Sequence, residues 1–107
     1  MVLLMTVITY PPNKQLEVQN KFFEIVNKYP YDESVAKRLV RLAVRITKDG
    51  YEVISIVDIP EGKYTEAFKQ TAANLHEYSG IEGYRGEIRT YLSGEEAFKI
   101  IGKKLPE

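Results

Sequence analysis

Four stretches of the sequence have the apolar pattern of β-strands. The first runs from Val2 to Tyr10 and is followed at once by two prolines. The second and third, Arg38 to Thr47 and Tyr51 to Ile59, are joined by a Lys-Asp-Gly segment whose glycine, Gly50, suits the positive φ of a hairpin turn. The fourth runs from Gly83 to Leu92. Apolar and polar residues alternate in the second and fourth stretches, which predicts strands with one buried and one polar face.

Three amphipathic helices are predicted around these strands. Apolar residues recur at helical spacing from Lys14 to Lys28 and again from Lys63 to Ser79. Gly80 follows the second helix in the position of a C-terminal cap glycine. A capping box, Ser93 to Glu96, begins a short third helix, which Gly102 ends.

The order of these elements is β-α-β-β-α-β-α. Two βαβ crossovers around a central hairpin predict a ferredoxin-like sandwich of the α+β class, in which helices cover one face of a four-stranded antiparallel sheet. The first and third strands are then central, the second and fourth are the edges, and the third helix is an addition at the C-terminus. At 107 residues we expect one such domain, spanning residues 1–107.

Both faces of the first strand are largely apolar. Leu3, Met5 and Val7 lie on one face, and Leu4 and Ile8 on the other. Because helices cover only one face of the sheet, the second face needs another cover, and a second copy of the chain is the simplest one. The alternative is an exposed sheet that tolerates a few apolar residues.

In its element order and strand patterning, and without a specific motif, the chain resembles the dimeric α/β-barrel group of ferredoxin-like proteins. That group includes small monooxygenases and stress-responsive barrel proteins. The resemblance implies a homodimer whose sheets face each other, with any ligand pocket between sheet and helices or inside the shared barrel.

Composition excludes several classes of protein. The 15 basic residues balance 15 acidic ones, so no overall field attracts nucleic acid or a membrane surface. The absence of cysteine excludes disulfides, thiolate metal ligands and a cysteine nucleophile. No apolar run approaches the ~20 residues of a membrane span, and the N-terminal run lacks the basic flank of a signal peptide. We therefore expect a cytoplasmic protein, and the Lys, Glu, Ile, Val and Tyr bias indicates a thermophilic source unless it is chance in a short chain.

The arginines are the feature that points to a site. All five lie in the predicted edge strands, at Arg38, Arg41, Arg45, Arg85 and Arg89. By alternation, Arg41 and Arg45 share a face, as do Arg85 and Arg89, with Tyr91 beside them. Such groups could bind a carboxylate or phosphate. The interpretation that we prefer is structural: the arginines protect the sheet edges or pair with Glu52, Glu87 or Asp58, and so mark the seam of a dimer. A ligand role then requires that the seam encloses a pocket.

Histidine and tyrosine offer weaker candidates. His76 is the single histidine, and without cysteine or a carboxylate cluster it is a poor start for a metal site, so we expect a surface histidine and no metal or other cofactor. Tyr10, Tyr51, Tyr84 and Tyr91 lie in or near strands. They could line a pocket for an aromatic or apolar ligand, or belong to an interface.

Three functions are compatible with these patterns. The first is a non-catalytic homodimeric domain that binds a small anionic or aromatic ligand or has a structural or regulatory role. The second is a small monooxygenase-like enzyme, which needs a polar residue such as His76, Tyr91 or Arg45 facing a real cavity. The third is RNA binding, since the RRM shares this element order, but the third strand lacks the basic-Gly-aromatic pattern of an RRM. No residue is assigned a catalytic role.

Overall fold

The computed structural model describes residues 2–107. The elements follow one another as β1 (Val2–Tyr10), α1 (Gln15–Lys28), β2 (Lys37–Thr47), β3 (Gly50–Ile59), α2 (Tyr64–His76), β4 (Arg85–Leu92) and α3 (Gly94–Ile100). A short 3-10 turn, Pro12–Lys14, leads into α1. Every predicted strand and helix is therefore present, with its ends displaced by a few residues. No helix within residues 2–107 is long and apolar enough to cross a membrane.

The four strands form one antiparallel sheet in the order β2-β3-β1-β4. The central strand β1 pairs with β3 on one side and β4 on the other, so that Leu4 lies between Val57 and Thr90. Strands β2 and β4 are the edges, as the sequence predicted. This antiparallel sheet with its helices is an α+β architecture that fits a ferredoxin-like fold.

The helices pack on the face of the sheet that carries Leu4. Leu4 is 2% exposed and clusters with Val35, Ile59 and Ala67 of α2. A second cluster joins α1 to the segment after α2 through four residues, Val18, Ile25, Tyr78 and Ile81. The shortest dimension of the chain is 18 Å, which accommodates one sheet and one helical layer.

The ends of α2 and α3 differ in how well the sequence predicts them. The helix α2 ends at His76, with Glu77 as its cap, and Gly80 does not adopt a positive φ, so the predicted glycine cap is wrong. The prediction for α3 is confirmed: Ser93 Oγ accepts a hydrogen bond from the Glu96 amide at 3.2 Å, and Gly102 ends the helix with a φ of 71°.

The regular alternation predicted for β2 is wrong before Ala43. Pairing with β3 shifts register between Arg38 and Val40 and again between Val40 and Ala43. Val40 lies opposite Ile56 and Ala43 opposite Ile54. Val40 and Ala43 are three residues apart, whereas their partners are two apart, so the alternation of faces along β2 is interrupted between them. Face assignments therefore cannot be carried across this part of β2.

Candidate functional site

A cavity of about 710 Å³ lies between the sheet and the helices. Its floor is formed by β1 and β3, with Thr6 and Ser55 near the middle, and its walls by α1, α2 and the inner side of β2. Both hydrophobic clusters of the core contribute residues to its lining. Such a volume is in the range of small-molecule sites, about 300–1,000 Å³.

Tyrosines dominate one part of this cavity. Six of the eight tyrosines in the chain line it: Tyr10, Tyr29, Tyr31, Tyr51, Tyr78 and Tyr84. Four of the rings form a stacked series, in which Tyr51 contacts Tyr10 at a centroid distance of 5.3 Å, Tyr10 contacts Tyr84 at 6.5 Å and Tyr84 contacts Tyr78 at 4.5 Å. These rings form an aromatic wall of the cavity in which the faces of neighbouring rings are turned toward one another.

The hydroxyl groups at the deep end of this series are poorly solvated. Burial raises the pKa of Tyr78 to about 12, and it raises the pKa of Tyr84 still further. Both phenols are therefore neutral at physiological pH. The Tyr84 hydroxyl and the Asn74 Oδ1 atom are both buried and have no hydrogen-bond partner among residues 2–107. Both residues line the cavity, but these two atoms themselves have almost no accessible surface, so a molecule in the cavity does not reach them.

Two tyrosine hydroxyls fix α1 against its neighbours. Tyr51 donates a hydrogen bond to Gln15 Oε1 at 2.9 Å, and Tyr29 donates one to Glu77 Oε2 at 3.2 Å. Lys28 Nζ lies 2.9 Å from the same Glu77 oxygen. The Lys28 ammonium holds the pKa of the Glu77 carboxyl below its usual value. These contacts connect α1 with β3 and with the end of α2, and so hold the walls of the cavity together.

Two arginines, Arg38 and Arg41, line the cavity from β2. The guanidinium carbon of Arg38 lies 3.7 Å from the centroid of the Tyr31 ring. This stacking occupies the face of the guanidinium and leaves its N–H edge free to donate. Within residues 2–107, neither arginine forms a salt bridge. Both are exposed, so they border the opening of the cavity.

The other three arginines lie elsewhere. Arg45 pairs with Glu52 across β2 and β3 at 3.3 Å, and Arg89 pairs with Glu87 on its own strand at 3.0 Å. The Glu87 carboxylate raises the pKa of Arg89 through its hydrogen bond. Arg85 borders, together with Arg45, a shallow depression beside the β2–β3 hairpin. The five arginines are thus divided: two line the cavity, two form ion pairs outside it, and Arg85 borders the depression.

The remaining predicted site residues do not reach the cavity. His76 is exposed at the end of α2, and Tyr91 is 45% exposed on the opposite face of the sheet, where it is paired with Leu3. Among the described residues no group of three His, Cys, Asp or Glu side chains could hold a metal ion. The three residues that an enzyme was expected to place in a cavity, His76, Tyr91 and Arg45, are therefore absent from its lining.

The sequence did not single out Tyr29, Tyr31, Asn74 and Tyr78 for this site. Tyr29 and Tyr31 flank Pro30, directly after the predicted first helix. Tyr78 lies four residues after Asn74 within the predicted second helix, so helical spacing is a signal that could have placed both on one face.

Comparison with known proteins shows the fold and no more. No protein-family model matches the sequence, and no curated protein matches it. Among solved structures, the chain is similar to the de novo designed protein Foldit4, with 14% identity and a TM-score of 0.52 over 86% of this chain and 96% of that one. It is also similar to a formyltetrahydrofolate deformylase from Pseudomonas putida KT2440, with 8% identity and a TM-score of 0.48 over 83% of this chain and 28% of that one. At such identity the designed protein shows that the same arrangement of strands and helices occurs elsewhere, and it says nothing of function.

Proposed function

We propose that this chain is a non-catalytic domain that binds a small molecule between its sheet and its helices. The cavity of about 710 Å³, lined by six tyrosines, is the observation that carries this proposal. Ligand sites are concave, mostly apolar, and contain a few polar groups that orient the ligand. Here Ser55 and Arg41 are such polar groups, and Arg41 forms no ion pair among residues 2–107.

A binding experiment with a blocked cavity tests this proposal. Phenylnaphthylamine, a neutral aromatic probe whose fluorescence rises in apolar surroundings, should bind with a stoichiometry of one per chain. Ser55→Trp places a large ring on the cavity floor and should abolish binding. Ser79→Trp adds the same ring at an exposed position that does not line the cavity, and it should bind like the wild type. Binding that survives Ser55→Trp, or no binding by a folded wild type, would contradict the proposal.

We also propose that the protein forms a homodimer. Its solvent-accessible surface is 7602 Å². A compact monomer of 12.3 kDa exposes roughly 6,100 Å² by the usual scaling with mass. The excess, on the order of 1,500 Å², is larger than the ~800 Å² that each partner buries in a standard interface. A second copy of the chain can therefore cover a full interface on this surface.

The open face of the sheet is the surface that we propose for this contact. It carries the apolar residues Leu3, Met5, Val7, Ile54 and Ile56 on the two central strands. The Arg89–Glu87 pair lies beside this strip on β4, and the Arg45–Glu52 pair spans β2 and β3 beside it. An apolar strip with a charged rim is the usual composition of an interface. Sheets that face each other in this way would give the dimeric α/β barrel implied by the sequence resemblance.

Two matched isoleucine variants test the dimer. Light scattering of the wild type should give twice the chain mass of 12.3 kDa. Ile54→Glu places a charge on the proposed interface and should halve the measured mass. Ile46→Glu places the same charge on β2 at a position that is 76% exposed and paired with Tyr51, on the other face, and it should remain dimeric. A wild-type mass of one chain would overturn the dimer, and dissociation by both variants would overturn the choice of face.

A further inference from the structure

The outer side of the edge strand β2 is largely uncovered. The strand pairs with β3, and among the described residues no other strand or helix packs extensively against it. At its start, the Arg38 amide donates a hydrogen bond to the Tyr31 hydroxyl at 3.0 Å, which covers the edge at that point. From residue 43 to residue 47 the pairing with β3 is regular. Alternate backbone groups of this segment point away from β3, so an added strand can pair with them.

This edge concentrates positive charge in a chain that has no net charge. Residues 37–48 contain five basic side chains and no acidic one: Lys37, Arg38, Arg41, Arg45 and Lys48. All five are exposed, and within residues 2–107 Arg45 alone of the five forms an ion pair. The other edge, β4, carries two arginines and a glutamate, and its Arg89 is paired with Glu87. An anionic partner is therefore attracted to β2 more than to β4.

Exposed apolar side chains alternate with a cation along the regular part of this edge. Val44 is 58% exposed and Ile46 is 76% exposed. Their partners on β3, Val53 and Tyr51, line the cavity, so both side chains lie on the cavity face of the sheet. Arg45 lies between them in sequence and therefore on the opposite face. A strand beside this segment meets apolar groups on one face and a cation on the other, which favours a sequence of alternating apolar and acidic residues.

Two other occupants fit this edge less well. Pairing with β2 of a second copy would bring the basic residues of both chains together, where like charges repel. A single-stranded nucleic acid matches the charge, but such strands bind through bases that stack on aromatic rings, and β2 contains no aromatic residue. An acidic polypeptide matches the charge, the apolar side chains and the unpaired backbone groups together.

We infer that β2 is a docking site for an extended acidic segment of another protein. This segment adds to residues 43–47 as a fifth strand, with its apolar side chains against Val44 and Ile46 and its carboxylates toward Arg45 and Arg41. In recognition of this kind, main-chain hydrogen bonds supply affinity and alternate side chains supply specificity. The inference goes beyond the proposed small-molecule site and does not rest on it.

A fluorescent peptide in which glutamate and valine alternate, with both ends blocked, is the probe for this edge. The wild type should bind it at physiological salt, as measured by fluorescence anisotropy, and should not bind the counterpart in which lysine replaces glutamate. Arg41→Gln should weaken binding about fivefold, the effect of one exposed charge pair of about 1 kcal/mol.

Arg85→Gln is the matched control for Arg41→Gln. Arg85 is exposed on β4 and forms no ion pair among the described residues. Three strand spacings of about 4.8 Å separate β4 from β2, more than the Debye length of about 8 Å at physiological salt. Arg85→Gln should therefore leave the affinity unchanged, and an equal loss in both variants would contradict a site on β2.

Hydrogen exchange tests whether the peptide adds as a strand. In the complex, alternate amides of residues 43–47 should exchange more slowly than in the free protein, because the peptide accepts their hydrogen bonds. The amides of β4 should exchange at their original rates. Binding that slows no amide of β2 would overturn the strand addition.

The remaining outcomes identify the wrong occupants. No binding of the acidic peptide by the folded wild type would overturn the inference, since the basic residues then only keep the edges of different molecules apart. Preference for a single-stranded oligouridylate over the peptide would show a nucleic-acid site instead. Dissociation of the dimer by Ile46→Glu would show that a second copy covers this edge. Each of these results leaves the cavity proposal to its own test with phenylnaphthylamine.

Discussion

The ring of Tyr84 stacks on the ring of Tyr78 with centroids 4.5 Å apart and planes within 5° of parallel. This contact lies within the connection between α2 and β4, which spans residues 77–84. It belongs to the second core cluster, where Tyr78 is buried with Val18 and Ile25 of α1. The same pair of rings forms the deep end of the cavity, so one contact supports both the fold and the proposed site.

Alkaline pH should destabilise the protein through these two tyrosines. Burial raises the pKa of Tyr78 to about 12, from an ordinary value of 10.0, and raises that of Tyr84 further. In the unfolded chain both ionise near pH 10. Their contribution to stability is therefore complete below pH 10 and is lost as pH rises from 10 through about 12.

An absorbance titration of phenolate checks this expectation. The wild type should show a late step that coincides with unfolding by circular dichroism. The double variant Tyr78→Phe/Tyr84→Phe should lose the late step, whereas Tyr91→Phe, at an exposed position outside the cavity, should keep it. Ionisation of all eight tyrosines near pH 10 in a folded protein would contradict the prediction.

Gly50→Ala should destabilise the protein more than Gly62→Ala. Both glycines have positive φ, 136° and 84°, which costs about 1–3 kcal/mol for a residue with a side chain. A Cβ at Gly50 would in addition collide with the carbonyl oxygen of Tyr10, whereas a Cβ at Gly62 meets nothing within 4 Å. Gly62→Ala therefore measures the cost of a positive φ at a position where the added Cβ does not collide with another atom. Chemical unfolding should show a clearly larger loss of unfolding free energy for Gly50→Ala than for Gly62→Ala. Equal losses would show that the hairpin moves away from Tyr10 without cost.

The strand and helix order was predictable from the sequence because hydrophobic periodicity decides it. The edge position of β4 followed from the strand order of the ferredoxin-like sandwich, and the shared face of Arg85, Glu87 and Arg89 followed from strict alternation; both are confirmed. The same rule failed in β2, since the register shift between Val40 and Ala43 separates Arg41 from the phase of Arg45. A bulge leaves no clear trace in a single sequence, so Arg41 could not be assigned to the cavity in advance.

The cavity itself depends on tertiary packing. Tyr29, Tyr31 and Tyr78 lie outside the strands, and they line the same cavity as Tyr10 and Tyr84 only when α1 and α2 lie over the sheet. A sequence shows which residues are aromatic but not how far a helix stands above a sheet. The expected cytoplasmic location, thermophilic source and dimer remain predictions. Composition alone supports the first two, and surface chemistry supports the third.

Acid pH should weaken the contact that links α1 to the end of α2. The Lys28 ammonium lowers the pKa of Glu77, so the folded state favours the ionised carboxylate. This contribution to stability is present above the pKa of the unfolded chain and is lost as pH falls through the lower pKa of the folded state. Unfolding by urea between pH 7 and pH 3 should therefore show a smaller acid-induced loss in Glu77→Gln than in the wild type.

Glu82→Gln is the matched control for this acid effect. Glu82 is exposed and has no salt bridge among residues 2–107. Its variant should keep the pH dependence of the wild type. If Glu77→Gln retains that dependence as well, the Glu77–Lys28 contact of 2.9 Å does not contribute in solution.

Leu4→Ala should be strongly destabilising and should also enlarge the proposed site. Leu4 is 2% exposed, packs with Val35, Ile59 and Ala67, and lines the cavity. Truncation of such a leucine costs about 2–5 kcal/mol, and the missing methyl groups add to the space between sheet and helices. Leu39→Ala, at a position that is 51% exposed, removes the same atoms from the surface and should cost less than about 1 kcal/mol. Unfolding by urea measures both losses, and the affinity of phenylnaphthylamine for a still-folded Leu4→Ala variant shows whether the added space is accessible to a ligand. Equal losses for the two leucines would mean that the sheet and helices do not pack through Leu4.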